Sequence, residues 1–180
     1  MMRNAFELLM QKTAKSVPRV ASRVLSYTPE RSVIVPKTKA SYVLMFDGGS
    51  RGNPGLCGAG AVIYIEGMEV WNASQVVSVS NTNNYAEYMA LNIGLQHAIE
   101  MGITELTVFG DSELIMKQLT GKAKVKSQNL LLLHKQSMEN INSIDTIHLH
   151  HILRKFNKRA DELANEAMDE YNRKTSPISQ

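Results

Sequence analysis

Four acidic residues, Asp47, Glu87, Asp111 and Asp161, lie far apart in the chain, yet each sits where a carboxylate is awkward. On a helical wheel of residues 85–100, Asn92, Gln96 and Glu100 form a polar stripe. Glu87 projects to the other side, in line with Ala90, Leu91, Gly94 and Ala98. A carboxylate on an apolar face is costly unless a cation or hydrogen-bond donors meet it. Asp161 repeats the anomaly, at the edge of a stripe of Ala160, Leu163, Ala164, Ala167 and Met168, while Glu162, Asn165, Glu166 and Asp169 face water. Asp47 ends an apolar run before Gly48-Gly49, and Asp111 follows Phe109-Gly110. Each has a bland alternative: a turn aspartate at 47, a helix cap at 111, and dipole-stabilised first-turn acids at 87 and 161. Carboxylates that converge repel one another and are driven to protonate unless cations intervene. An all-oxygen donor set favours Mg²⁺ or Mn²⁺ over zinc. Two such ions about 4 Å apart suit in-line displacement at a phosphate.

The elements that must position these acids follow from periodicity. Tyr42–Phe46, Ala59–Ile65, Met68–Val77, Leu106–Phe109 and Thr146–Ile152 read as strands. Tyr85–Glu100, Ser112–Leu119, Asn129–Ile141 and Asn157–Tyr171 read as helices, with a helix start at Asn81–Asn84. The order β-β-β-α-β-α-α-β-α predicts an α/β fold: a five-stranded mixed sheet, a three-strand antiparallel meander plus parallel strands, flanked by helices. Strand ends beside helix starts are where α/β sheets place ligands. If the first and fourth strands are neighbours, Asp47 and Asp111 share one sheet end.

Hydrophobic residues make up 43% and charged residues 21% of the 180, ordinary values for a globular protein. The net charge of +3 hides an asymmetry. Residues 1–40 carry eight Lys/Arg against Glu7 and Glu30, so the remainder is net acidic and the basicity belongs to the leader. That leader has Phe6, Leu9, Met10 and Val17 at helical spacing and is broken by Pro18, Pro29 and Pro36. It reads as a basic segment, disordered or organelle-targeting (mitochondrial or other), before a catalytic domain over 41–173 and a tail over 174–180. No apolar run reaches the roughly 18 residues of a membrane span. The lone Cys57 forms no internal disulfide and reads as a small buried thiol, so the expected location is intracellular, cytoplasmic or nuclear.

Four stretches together resemble type 1 ribonuclease H over roughly residues 42–171. They are FDGGSRGNPG (Phe46–Gly55), TNNYAEYMAL (Thr82–Leu91), FGDSELI (Phe109–Ile115) and NKRADELANEA (Asn157–Ala167). The resemblance implies a ribonuclease H-like fold and Asp47, Glu87, Asp111 and Asp161 as catalytic, metal-holding acids. It implies two ions, Mg²⁺ with Mn²⁺ as an alternative: Asp47 bridging both, Asp161 helping to hold the one that activates water, Glu87 and Asp111 holding the one at the leaving oxygen. The RNA strand of an RNA–DNA hybrid would be cut to leave a 5′-phosphate and a 3′-hydroxyl. By the same resemblance Gly48, Gly49, Ser50, Asn53, Asn83 and Asn84, with Glu87 and Ser112, sense the ribose 2′-hydroxyl. The alternative for the Asn53 and Asn81–Asn84 stretches is turn and cap chemistry.

Two departures bear on this. Leu153–Ala160 lacks the histidine that many family members carry just before the last aspartate, as in the histidine-less branch resembling archaeal or plant-type members. Arg154 or Lys158 is its electrostatic substitute. His148, His150 and His151 are read as strand residues. The tryptophan-rich basic protrusion is also missing, and Lys122, Lys124 and Lys126 are left to touch DNA-strand phosphates or to form a solvated loop. The expected partner is an RNA–DNA hybrid, with no membrane, no obligate protein partner, and a monomer. A DNA nuclease of the same fold and a non-catalytic nucleic-acid-binding descendant are the alternatives.

Overall fold

The computed structural model describes residues 41–176. The leader and its helical face lie outside the described residues. In chain order the elements are β1 (Tyr42–Gly52), β2 (Gly55–Ile65), β3 (Met68–Asn81), α1 (Asn83–Glu100), β4 (Glu105–Gly110), α2 (Glu113–Leu119), α3 (Gln128–Asn142), β5 (Thr146–His151), a 3₁₀ turn (Arg154–Phe156) and α4 (Lys158–Thr175). The expected order of elements is borne out. The differences are at the ends: β1 runs on through Gly52, β3 continues four residues past Val77, and α4 reaches Thr175 and not Tyr171.

The sheet order is β3-β2-β1-β4-β5. β1 pairs antiparallel with β2 and β2 antiparallel with β3, while β1–β4 and β4–β5 are parallel. β1 is therefore the central strand and is covered on both faces, which explains its unbroken apolar run. Leu44 and Phe46 point to a core shared with Tyr88, Leu91 and Leu95 of α1 and with Ile115 and Leu119 of α2. Val43 and Met45 point to the other face, with Val62, Phe109, Ile152 and Leu163 of α4.

The polar stripe assigned to α1 needs one correction. Asn92 is not in water but 4% exposed. Its Nδ2 donates to the Leu133 carbonyl at 3.1 Å, and its Oδ1 accepts from the Ser137 hydroxyl at 2.8 Å. Helix α3 covers that side of α1, and a paired amide is tolerated there where a charge would not be. Asn165 of α4 is likewise half-buried, its amide donating to the Asp161 carbonyl at 2.9 Å and to its carboxylate at 3.2 Å.

Candidate active site

The parallel register of β1 and β4 ends at Phe46 opposite Gly110, so Asp47 and Asp111 stand side by side where β4 leaves the sheet and β1 runs on beside β2. Glu87 reaches the same place from α1 because the helix presses directly on β1 at Gly48. A Cβ there would lie 2.1 Å from the backbone of Ala86 and Glu87, so only glycine permits the contact. A similar contact seats α4: Cβ atoms at Gly58 and Gly60 would each lie 2.1 Å from a helix carbonyl, those of Ala164 and Ala160. Asp161 thereby arrives from the opposite face of the sheet.

Carboxylate oxygens of Asp47, Glu87 and Asp111 all lie within 4.8 Å of one another. Asp47 is 6% and Glu87 4% exposed. The Gly48 N–H lies 3.0 Å from Asp47 Oδ1 and also faces the Glu87 carboxylate. Glu87 Oε2 is buried with no hydrogen-bond partner. Burial, then the nearby charges of Asp111 and Asp161, pushes the Asp47 carboxyl up from 3.8 to about 8, with Arg154 opposing. Glu87 is raised well above its ordinary value by burial and then by Asp47 and Asp111. Asp111 is raised by burial, against a lowering hydrogen bond from Asn157. Two buried acids and a third half-buried one, poor in donors and mutually repelling, suit a divalent cation held by oxygen ligands.

Asp161 is a neighbour of this cluster more than a member. Its carboxyl faces the Asp47 carboxyl and raises it, but is 29% exposed and accepts from Arg154 at 2.5 Å. Arg154 is 77% exposed, and its charge acts on Asp47, Glu87 and Asp111 as well. Of the two cations expected to replace a histidine, Arg154 is the one turned to the acids, whereas Lys158 is an exposed residue of the first turn of α4.

The asparagine-bearing loops come together as one rim. Asn53 Oδ1 accepts from the Asn83 N–H at 3.3 Å, and the Ser50 hydroxyl donates to the Asn81 carbonyl at 3.0 Å. Cys57 is fully buried beneath, its thiol directed at Ser50 Oγ, Gly55 O and Thr82 O. Gly49, Asn84 and Ser112 are half-buried, and Asn53 and Asn83 are exposed. Lys122, Lys124 and Lys126 occupy a separate exposed stretch between α2 and α3, with Ala123 and Val125 turned partly inward.

The chain's likeness to known proteins bears on this geometry. Residues 45–167 match the family model described as "Reverse transcriptase-like". The ribonuclease HI of Halobacterium salinarum is 36% identical over 146 residues, covering 81% of this chain and 73% of that protein. The chain belongs to the ribonuclease H family. A bifunctional protein of Mycobacterium tuberculosis is 41% identical over 128 residues, 71% of this chain, but the match spans only 35% of that longer relative. Its N-terminal RNase H domain, solved as a fusion with maltose-binding protein, superposes with a TM-score of 0.72 at 37% identity, covering 77% of this chain and all of that one. LC11-RNase H1, solved in complex with an RNA/DNA hybrid, gives a TM-score of 0.68 at 36% identity over 73% of this chain and 99% of that one. The ribonuclease H fold expected from the four motifs is thus found.

Two features of the site were not read from the sequence. By its sequence Asn157 is no more than a helix start, yet it is fully buried, donates to the Phe46 carbonyl and lies beside the Asp111 carboxyl. His151 Nε2 lies 3.0 Å from the Asp111 carbonyl, joining the end of β5 to the turn that carries this acid. His150 is buried against Phe109, and burial, then His148, lowers it to about 4, so it stays neutral near pH 7. All three strand histidines lie on β5, His148 and His151 half-buried.

Proposed function

We propose that the chain is an endonuclease that hydrolyses the RNA strand of RNA–DNA hybrids, leaving 5′-phosphate and 3′-hydroxyl ends. One observation carries the reading: three carboxylates from three elements meet within 4.8 Å, one of them with a buried oxygen that nothing in the protein partners. Asp47, Glu87 and Asp111 would hold divalent cations, two Mg²⁺ or Mn²⁺ ions in this reading, with Asp161 completing the set at the exposed side. Bound there, such ions supply Lewis acidity at the scissile phosphate and the attacking water. Arg154 offsets part of the acidic charge and stands where a phosphate would enter. The rim of Gly48, Gly49, Ser50, Asn53, Asn83, Asn84 and Ser112 offers backbone and side-chain groups to a 2′-hydroxyl. Lys122, Lys124 and Lys126 would position the DNA strand through its phosphates.

In the same reading residues 41–173 form the catalytic unit, acting as a monomer in an intracellular compartment, and residues 1–40 are an appended leader. No described helix is long and apolar enough to cross a membrane. The test sets labelled RNA–DNA hybrid, double-stranded RNA and double-stranded DNA side by side, with Mg²⁺ or Mn²⁺. The wild type is expected to cut only the RNA of the hybrid. Asp47→Asn should lose about a thousandfold or more in rate, equivalent to about 4 kcal/mol, while still binding the hybrid. Cleavage of double-stranded DNA instead, or of nothing with either metal, would refute the proposal.

A further inference from the structure

Asn157 sits between the 3₁₀ turn and α4 and has no exposed surface. Its Nδ2 donates at 2.8 Å to the carbonyl of Phe46, the residue before Asp47, across 111 positions of sequence. The same amide lies beside the Asp111 carboxyl and acts on it as a donor, opposing the rise that burial causes. Its main-chain carbonyl accepts the Asp161 N–H at 3.1 Å. One residue is thus tied to the supports of three of the four acids. Helix capping does not explain it, because its side chain makes no cap bond to α4. Nor does packing: its Oδ1 is buried without a partner, a penalty that an apolar side chain would avoid. Turning the amide over would set its oxygen against the Phe46 carbonyl. What the position gains from asparagine is the donor.

We propose that Asn157 is a positioning residue whose amide fixes the Asp111 carboxylate relative to the end of β1, in the arrangement that divalent ions require. This rests on the proposed function for its consequence but not for its geometry. Partners that orient ligating groups are typically worth about ten- to a hundredfold in metal affinity or activity.

Two variants of the full chain provide the test. Asn157→Asp keeps the shape and replaces the donor with an acceptor, while Asn157→Ala removes both. In folded protein, checked by circular dichroism, each should weaken Mn²⁺ binding in calorimetry by about ten- to a hundredfold. kcat on a hybrid should fall comparably with KM within about twofold, and Asp should harm at least as much as Ala. Unchanged Mn²⁺ affinity, or Asp behaving like the wild type, overturns the proposal. Should both variants fail to fold, the wild type decides. In metal-free ¹H–¹⁵N spectra the Asn157 side-chain protons should exchange slowly and shift when Asp111 is changed to Asn. Fast exchange, or no shift, overturns the proposal. Because that readout needs neither metal nor cleavage, a wild type that cuts no hybrid would count against the enzyme reading alone.

Discussion

Glu87 and Tyr88 are consecutive residues of α1, both buried, and their polar ends meet opposite surroundings. The Tyr88 hydroxyl donates to Gln118 Oε1 at 2.9 Å, and Gln118 Nε2 donates onward to the Lys124 carbonyl. One turn along, Asn92 is matched by Leu133 and Ser137. In this seam between α1, α2 and α3 these side chains find protein partners. Glu87 faces the other way, towards Asp47 and Asp111, with an oxygen that has no partner. Both regions bury polarity, but these seam side chains are matched within the protein and Glu87 is not. A deficit of donors beside a surplus of like charge shows where something from outside is to be bound.

The contrast can be broken most forcefully at Asp47. Its carboxyl is at about 8 in the folded chain against 3.8 as the ordinary value, so between those limits only the folded state holds the extra proton. The resulting stability is full below about pH 4 and is lost as pH rises through 8. Asp47→Asn should therefore stabilise the metal-free protein at pH 8 to 9 by a few kcal/mol, on the order implied by the linkage between pKa and folding. Urea melts across pH 5 to 9 measure this, and an equally steep pH dependence in the variant would contradict it. In the seam the sign reverses. Tyr88→Phe leaves Gln118 Oε1 without its donor and should destabilise by about 1–3 kcal/mol, with hybrid cleavage unchanged at a temperature where the variant is folded. A loss of cleavage there would mean that the two regions are not separable. The smallest effect is expected at Arg154, whose pairing with Asp161 is largely exposed. Arg154→Ala should change stability by less than about 1 kcal/mol. Relieved of an opposing cation, the acids should bind Mn²⁺ a few-fold more tightly by calorimetry, and weaker binding would show that Arg154 does more than offset charge.

Glu87 was legible because the helical period set a charge among alanines and leucines, a conflict that sequence alone displays. The strand and helix order was legible for the same reason. Convergence of Asp47 with Asp111 was only conditional until the parallel register placed Phe46 opposite Gly110. Asn92 was misassigned because the period of α1 tells which residues share a face but not what covers that face, and α3 covers it. Asn157 was the least accessible. Its key bond spans 111 positions, and an asparagine before a helix ordinarily signifies no more than a cap. Nothing in the sequence marks Gly58 and Gly60 as the residues that let α4 lie against the sheet.

The position of β1 in the middle of the sheet has a final consequence. Its residues 42–46 are bonded on both edges, to β2 and to β4, and the antiparallel partnership continues through Asp47 and Gly48. Its amides are expected to be among the slowest to exchange, opening only with the whole domain. Asp47, an acid under strong electrostatic pressure to move, is therefore carried by a strand with little freedom to do so. Without a cation the Asp47 carboxyl would take up a proton in place, and the pocket would stay formed, ready to bind one without refolding.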